Sequence, residues 1–151
     1  MFLGKNDFSS VIKNTPLISI DLIVKNSKEE VLLGKRINEP AKGSWFVPGG
    51  RIFKDETLDE AFSRIAREEL GLDLQRDKSK FYGIYEHFYE NSVFSDDFGT
   101  HYVVLAHEFI TNDDLRLNDQ HEEYRWFGMD EILNTKEIHK YTKNYFLGRK
   151  Q

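Results

Sequence analysis

The chain has 151 residues, 21 basic and 26 acidic, for a formal charge of −5. This length suits one domain spanning 1–151, and 14% aromatics is too many for a disordered segment. Cysteine is absent, excluding a disulfide framework, a thiolate nucleophile and thiolate-held metal. No apolar run reaches signal-peptide or membrane-span length, and the acidic balance argues against nucleic acid as a partner, so a soluble, cytoplasmic protein with no membrane partner is expected.

Leu17–Val24 is short, rich in Ile, Leu and Val, and bounded by Pro16 and by Asn26-Ser27-Lys28, so it reads as a buried strand. Val31–Arg36 reads as its hairpin partner. Glu39 to Gly50, with Pro40, Gly43, Pro48, Gly49 and Gly50, reads as an ordered loop. Residues 57–70 follow a helical period. Phe81–Tyr89 and Tyr102–Phe109 read as strands flanking the turn-rich Asn91–Gly99. Glu123–Phe127 is expected as a last strand, and Asp130–Asn134 and Ile138–Lys150 as helices. Strands and helices mix without regular βαβ alternation, which points to α+β or a sheet sandwiched between helices.

The helix at 57–70 carries an anomaly. Thr57-x-x-Glu60 has the form of a capping box, and Gly71 supplies the stop. At 100° per residue Leu58, Ala61, Phe62, Ile65 and, just past the stop, Leu72 fall on one arc about 100° wide, the stripe that should face the core. Glu69 falls in the middle of that arc. Burial would strip its water, and the helix C-terminus presents partial negative charge to it. A raised pKa, an arginine or a cation would offset these costs, or the side chain bends into solvent at a frayed end. Arg64 lies at i, i+4 from Glu68 and so already has a partner, which makes it a supporting residue and leaves a hard cation attractive for Glu69. Carboxylate, carbonyl and water suit Mg²⁺ or Mn²⁺.

Just ahead of this helix, five basic residues (Lys35, Arg36, Lys42, Arg51 and Lys54) against the lone Glu39 give residues 35–54 a charge of +4. An anionic substrate would be steered there, unless the cluster is only a solvated loop. Gly49-Gly50 lets backbone approach a ligand closely. An aspartate at position 21, within the mostly apolar run Leu17–Val24, is costly unless something meets it.

Gly50-x5-Glu56-x7-Arg64-x3-Glu68-Glu69-x-Gly71-Leu72 resembles the Nudix box, the strand–loop–helix signature of hydrolases acting on nucleoside diphosphates linked to another moiety. The resemblance implies a mixed sheet between helices. One position departs: the family's glutamate after the arginine is here Ile65. The segments TPLISIDLIVKN, LLGKRINEPAKGSWFVPGGRIFKDETLDEAF, FYGIYEHFY, THYVVL and DQHEEYRWF are similar to the GDP-mannose mannosyl hydrolase branch, which also carries an apolar residue there. Glu68 is acidic where a relative in the branch has a small residue, which leaves the ligand count open.

That branch implies Mg²⁺-dependent hydrolysis of GDP-mannose, with GDP-glucose a further substrate, by water attack at the anomeric carbon with inversion. If water attacks carbon, the metal's task is to neutralise the departing diphosphate, and a carboxylate at position 65 is dispensable. By resemblance, Gly49, Glu69 and Gln120 hold the metal, with Glu68 a further ligand. His121 is then the general base, Arg36 and Arg51 grip the diphosphate, and Tyr102 donates to the leaving group. Asp21 and His87 bind sugar hydroxyls. The branch also implies a homodimer, through the segment up to Thr15 and the aromatic-rich stretch 81–110. Other readings stay open on the sequence: a nucleotide-sugar pyrophosphatase cleaving the P–O bond, a GDP-sugar binding module without catalysis, or a structural domain with no ligand.

Overall fold

The computed structural model describes residues 3–112, 115 and 121–148, apart from the side chains of residues 121 and 122. In chain order the elements are α1 (Lys5–Asn14), β1 (Leu17–Lys25), β2 (Val31–Arg36), β3 (Trp45–Phe46), β4 (Gly49–Arg51), α2 (Leu58–Leu70), a 3₁₀ turn (Arg76–Lys78), β5 (Lys80–Tyr89), β6 (Thr100–Ile110), β7 (His121–Phe127), α3 (Met129–Asn134) and α4 (Lys140–Asn144). The strands form one mixed sheet of order β3-β2-β1-β6-β5, with β4 on β1 and β7 on β2. β1 and β6 run parallel from Leu17↔Tyr102 to Lys25↔Ile110. The other pairs are antiparallel.

Alternation along β1 sends side chains to opposite faces of the sheet. Ile20, Leu22 and Val24 join Phe62, Ile65, Ala66 and Leu70 of α2 in one apolar cluster. Ile23 joins Val31, Trp45, Phe127, Ile132, Ile138 and Tyr145 in another, beneath α3 and α4. A sheet covered by helices on both faces is the expected α+β sandwich. Phe62, Ile65 and Leu70 are at most 1% exposed, and each such side chain contributes roughly 1.5–3 kcal/mol relative to an exposed one.

Several local expectations are corrected. Val31–Arg36 is a strand, but β1 and β2 pair only at Lys25↔Val31 beside the turn. Beyond it β1 takes β4 and β6 as neighbours, and β2 takes β3 and β7. The segment 39–50 is more than a loop, since it holds β3 and most of β4. Helix α1 was not legible: its apolar residues Phe8, Val11 and Ile12 span barely one turn. Among the described residues, the expected helix Ile138–Lys150 is regular only at Lys140–Asn144. After that, Tyr145 N–H bonds Thr142 O and Phe146 N–H bonds Lys143 O, the tighter i→i+3 pattern. Leu58, expected in the core stripe, is 40% exposed, at the first position of the helix.

Candidate active site

Helix α2 starts and ends where its sequence indicates. Thr57 Oγ1 accepts from Glu60 N–H at 3.1 Å, the threonine half of the capping box. Gly71 adopts the left-handed conformation (φ 67°), and its N–H returns to the last carbonyls. The helix carries Glu69 into the interior at 4% exposure. Burial pushes its carboxyl up to about 7, the negative charges of Glu68 and Asp21 add to the rise, and the Gly49 N–H and Arg36 oppose it.

Across from Glu69, Asp21 on β1 lies opposite Gly49 on β4. The approach is close. A Cβ on Gly49 would stand 2.4 Å from Asp21 Oδ1 and 2.6 Å from the Ile20 carbonyl, so only glycine fits there. Asp21 is likewise pushed up to about 7, by desolvation first, against a hydrogen bond from the Tyr145 hydroxyl and the charge of Arg36. Gly49 is thus flanked by two carboxyl groups, each costly to ionise without a cation.

Asp21, Arg36, Gly49, Arg51, Arg64, Glu68, Glu69, His87 and Tyr102 all line one cleft of about 410 Å³. Ile65 lines it too, 1% exposed, with its side chain packed beneath Gly50. His87 and Tyr102 face each other across β5 and β6. Burial, aided by His139, pulls the His87 imidazole down to about 4, so it is neutral near pH 7. Burial pushes the Tyr102 hydroxyl up, against the pull of Arg36, so it stays protonated and able to donate. Gln120 lies outside the described residues. His121 opens β7 with its backbone opposite Arg36, and its side chain lies outside what is described.

Three features of the site went unread in the sequence. Glu56 grips Arg64 with both oxygens, at 2.7 and 2.9 Å, and accepts from Phe53 N–H at 2.7 Å. Arg64 therefore spans Glu56, Glu68 and the Arg51 carbonyl, at 3.1 Å and 2.8 Å for the last two, rather than serving Glu68 alone. The spacing of the box holds Glu56, but no local pattern names its partner. Phe8 of α1 and Phe53 both lie against the Arg51 guanidinium, at 4.5 and 4.8 Å, with Arg64 against Phe53 at 3.8 Å. The result is an alternating stack of rings and cations. Tyr145, from the C-terminal segment, reaches Asp21 across 124 positions of sequence.

The donors suit a hard cation. Glu68 and Glu69 supply carboxylates, and Gly49 packs as close as its missing Cβ allows. Among the described residues no cluster of three or more His, Asp or Glu side chains converges as a ready cage. Mg²⁺ tolerates this, because it usually keeps few protein ligands and completes its shell with water and phosphate oxygens.

Residues 15–146 match the model of the NUDIX domain, and the chain belongs to the Nudix hydrolases, enzymes that act on nucleoside diphosphate derivatives with divalent cations such as Mg²⁺ or Mn²⁺. It is 42% identical over 123 residues to the low-salt glycan biosynthesis protein Agl8 of Haloferax volcanii, covering 81% of this chain and 77% of that one. It is also 40% identical over 57 residues to an ADP-ribose pyrophosphatase of Methanocaldococcus jannaschii, over 38% of this chain and 33% of that enzyme. Among solved structures, a MutT protein from Methanosarcina mazei Go1 superimposes with a TM-score of 0.71 at 24% identity, covering 88% of this chain and 92% of that one. No helix among the described residues is long and apolar enough to cross a membrane.

Proposed function

We propose that the protein hydrolyses GDP-mannose, and also GDP-glucose, to GDP and free sugar, by water attack at the anomeric carbon with inversion. The observation that carries this reading is the buried Ile65 beneath Gly50. Within the box it occupies the position where other Nudix enzymes present a carboxylate, so the cleft lacks an acid expected for attack at phosphorus. Its place in one cleft with two arginines and the polar side chains of Asp21, His87 and Tyr102 favours a diphosphate that carries a sugar. Similarity to a protein of glycan biosynthesis agrees with nucleotide-sugar chemistry.

Glu69, Glu68, Gln120 and the Gly49 carbonyl would hold Mg²⁺ or Mn²⁺, whose chemistry is Lewis-acid neutralisation of the departing diphosphate. Arg36 and Arg51 bind the same diphosphate through their N–H forks and stabilise the charge that develops as the bond to sugar breaks. The Phe8–Arg51–Phe53 stack holds one of those forks in place, so little order remains to be imposed on binding. Tyr102 donates its proton-bearing hydroxyl to the leaving group. His87, neutral because it is buried, offers one donor and one acceptor to sugar hydroxyls, while Asp21 accepts. His121 takes the proton of the attacking water. An NMR time course with GDP-mannose and Mg²⁺ tests this. GDP and free sugar, first seen as the inverted anomer, are expected, whereas GMP and sugar phosphate would mean a pyrophosphatase. Binding without turnover would mean a module that only recognises the nucleotide sugar.

A further inference from the structure

Tyr145 stands at the end of α4, 1% exposed, far in sequence from the box that marks the family. Its hydroxyl donates to Asp21 Oδ2. Its position is fixed from several sides. The Tyr82 hydroxyl donates to the Tyr145 carbonyl, and the Tyr145 ring meets Tyr85 edge-on at 4.6 Å. Helix α4 is itself tied to the sheet. The Tyr141 hydroxyl accepts from Phe88 N–H at 2.9 Å and donates to Phe88 O at 2.8 Å. Thr142 Oγ1 donates to the Trp45 carbonyl at 3.0 Å. His87 stacks flat on Tyr141, with centroids 4.3 Å apart and planes 9° apart. The two groups assigned above to the sugar, Asp21 and His87, therefore both rest on α4.

We infer that Tyr145 is a positioning residue that locks the Asp21 carboxyl in one orientation and thereby sets selectivity among hexoses. The inference rests on the reading that Asp21 accepts from the sugar. The Tyr145 hydroxyl fixes Oδ2, and Oδ1 lies on the side of Gly49, 2.4 Å from where a Cβ would stand, so the bond from Tyr145 opposes rotation of the Asp21 carboxyl toward a displaced hydroxyl. Epimeric sugars differ in where one hydroxyl points. A fixed acceptor distinguishes them better than a mobile one, because the poorer fit leaves a buried polar group unpaired. Tyr145 needs no contact with substrate for this role.

The test is a cycle of Tyr145→Phe, Asp21→Asn and the double variant in the full chain, with unfolding followed alongside. For Tyr145→Phe, kcat/KM for GDP-mannose should fall by about tenfold, the scale of one hydrogen bond to a charged group. The ratio of kcat/KM between GDP-mannose and GDP-glucose should narrow, and the Kd for GDP should stay within about twofold. In the Asp21→Asn background the same substitution should cost less than about twofold. An equal loss in both backgrounds, a rise in the GDP Kd matching the loss of activity, or an unchanged sugar ratio would overturn the inference. If Tyr145→Phe does not fold, 3-fluorotyrosine at position 145 keeps the shape and changes only the donor, and an unaltered sugar ratio would count against the role. A wild-type protein that releases no sugar would sink the functional reading separately. The unfolding cycle would then decide whether Tyr145 orders Asp21: coupling of about tenfold in the unfolding equilibrium constant supports it, and additivity refutes it.

Discussion

Glu69 is the residue on which the site turns. Its place on the core arc of α2 was legible from period alone, and the structure buries it as that arc requires. Its folded carboxyl titrates near 7 against an ordinary value of 4.5. Between pH 4.5 and about 7 the metal-free folded chain therefore keeps a proton that the unfolded chain has lost, and this group's contribution lowers stability as pH rises through that window, levelling off above it. His87 and His139, held down to about 4, act the other way: their contribution is lost as pH falls below the unfolded value near 6.5. The two trends mask each other in a simple pH profile. The difference between Glu69→Gln and wild type isolates the first. In EDTA, the variant's stability relative to wild type should rise from pH 4.5 to 7 by up to about 3 kcal/mol, read from urea unfolding. A pH-independent difference would mean that Glu69 ionises freely in the fold. Asp21 was legible as a misfit in an apolar strand, whereas its partner Tyr145 was not, because no local pattern links residues so far apart.

At the scale of elements, α2 shows how far local chemistry reaches. Thr57 and Gly71 marked its ends, and both act as caps. The Glu56–Arg64 clamp crosses from loop to helix, and its groups are only 16% and 18% exposed, so water screens it weakly. Glu56→Ala should lower stability by about 1–2 kcal/mol, and leave Arg51 less firmly backed, since Arg64 also holds the Arg51 carbonyl. Thermal unfolding of the variant measures the first effect, and a change below about 0.3 kcal/mol would demote the clamp to a surface pair. The strand expectations were sound where a run of β-branched or aromatic residues is bounded by turn residues, as in β1, β5 and β6. They failed in pairing. A hairpin was expected for β1 and β2 because the turn at Asn26–Lys28 is local, but the short β4 takes that edge of β1 at Ser19–Asp21 while the long-range parallel partner β6 fills the opposite edge, and no sequence pattern announces either.

Over the whole molecule, the box spans only β4 and α2, and the rest of the cleft is assembled from segments that lie outside it. β1 brings Asp21, β2 Arg36, β4 Gly49 and Arg51, α2 Glu69, and β5 and β6 His87 and Tyr102. The class of fold was legible, since it depends on how oily faces must be covered. The closing of the wall by α1 was not, because Phe8 signals nothing until Arg51 lies against it. Phe8→Ala should weaken GDP binding severalfold through loss of one cation–π contact of about 0.5–2 kcal/mol, and Phe8→Tyr should restore it. Titration calorimetry with GDP and Mg²⁺ reads both, and an unchanged Kd for Phe8→Ala would remove α1 from the site. The central claim is that water attacks carbon, as the oily Ile65 in place of an acid suggests. It is tested most directly by turnover of GDP-mannose in H₂¹⁸O followed by mass spectrometry. We expect the heavy oxygen in the released sugar and none in GDP. Heavy oxygen in a phosphate-bearing product, with unlabelled sugar, would contradict the account.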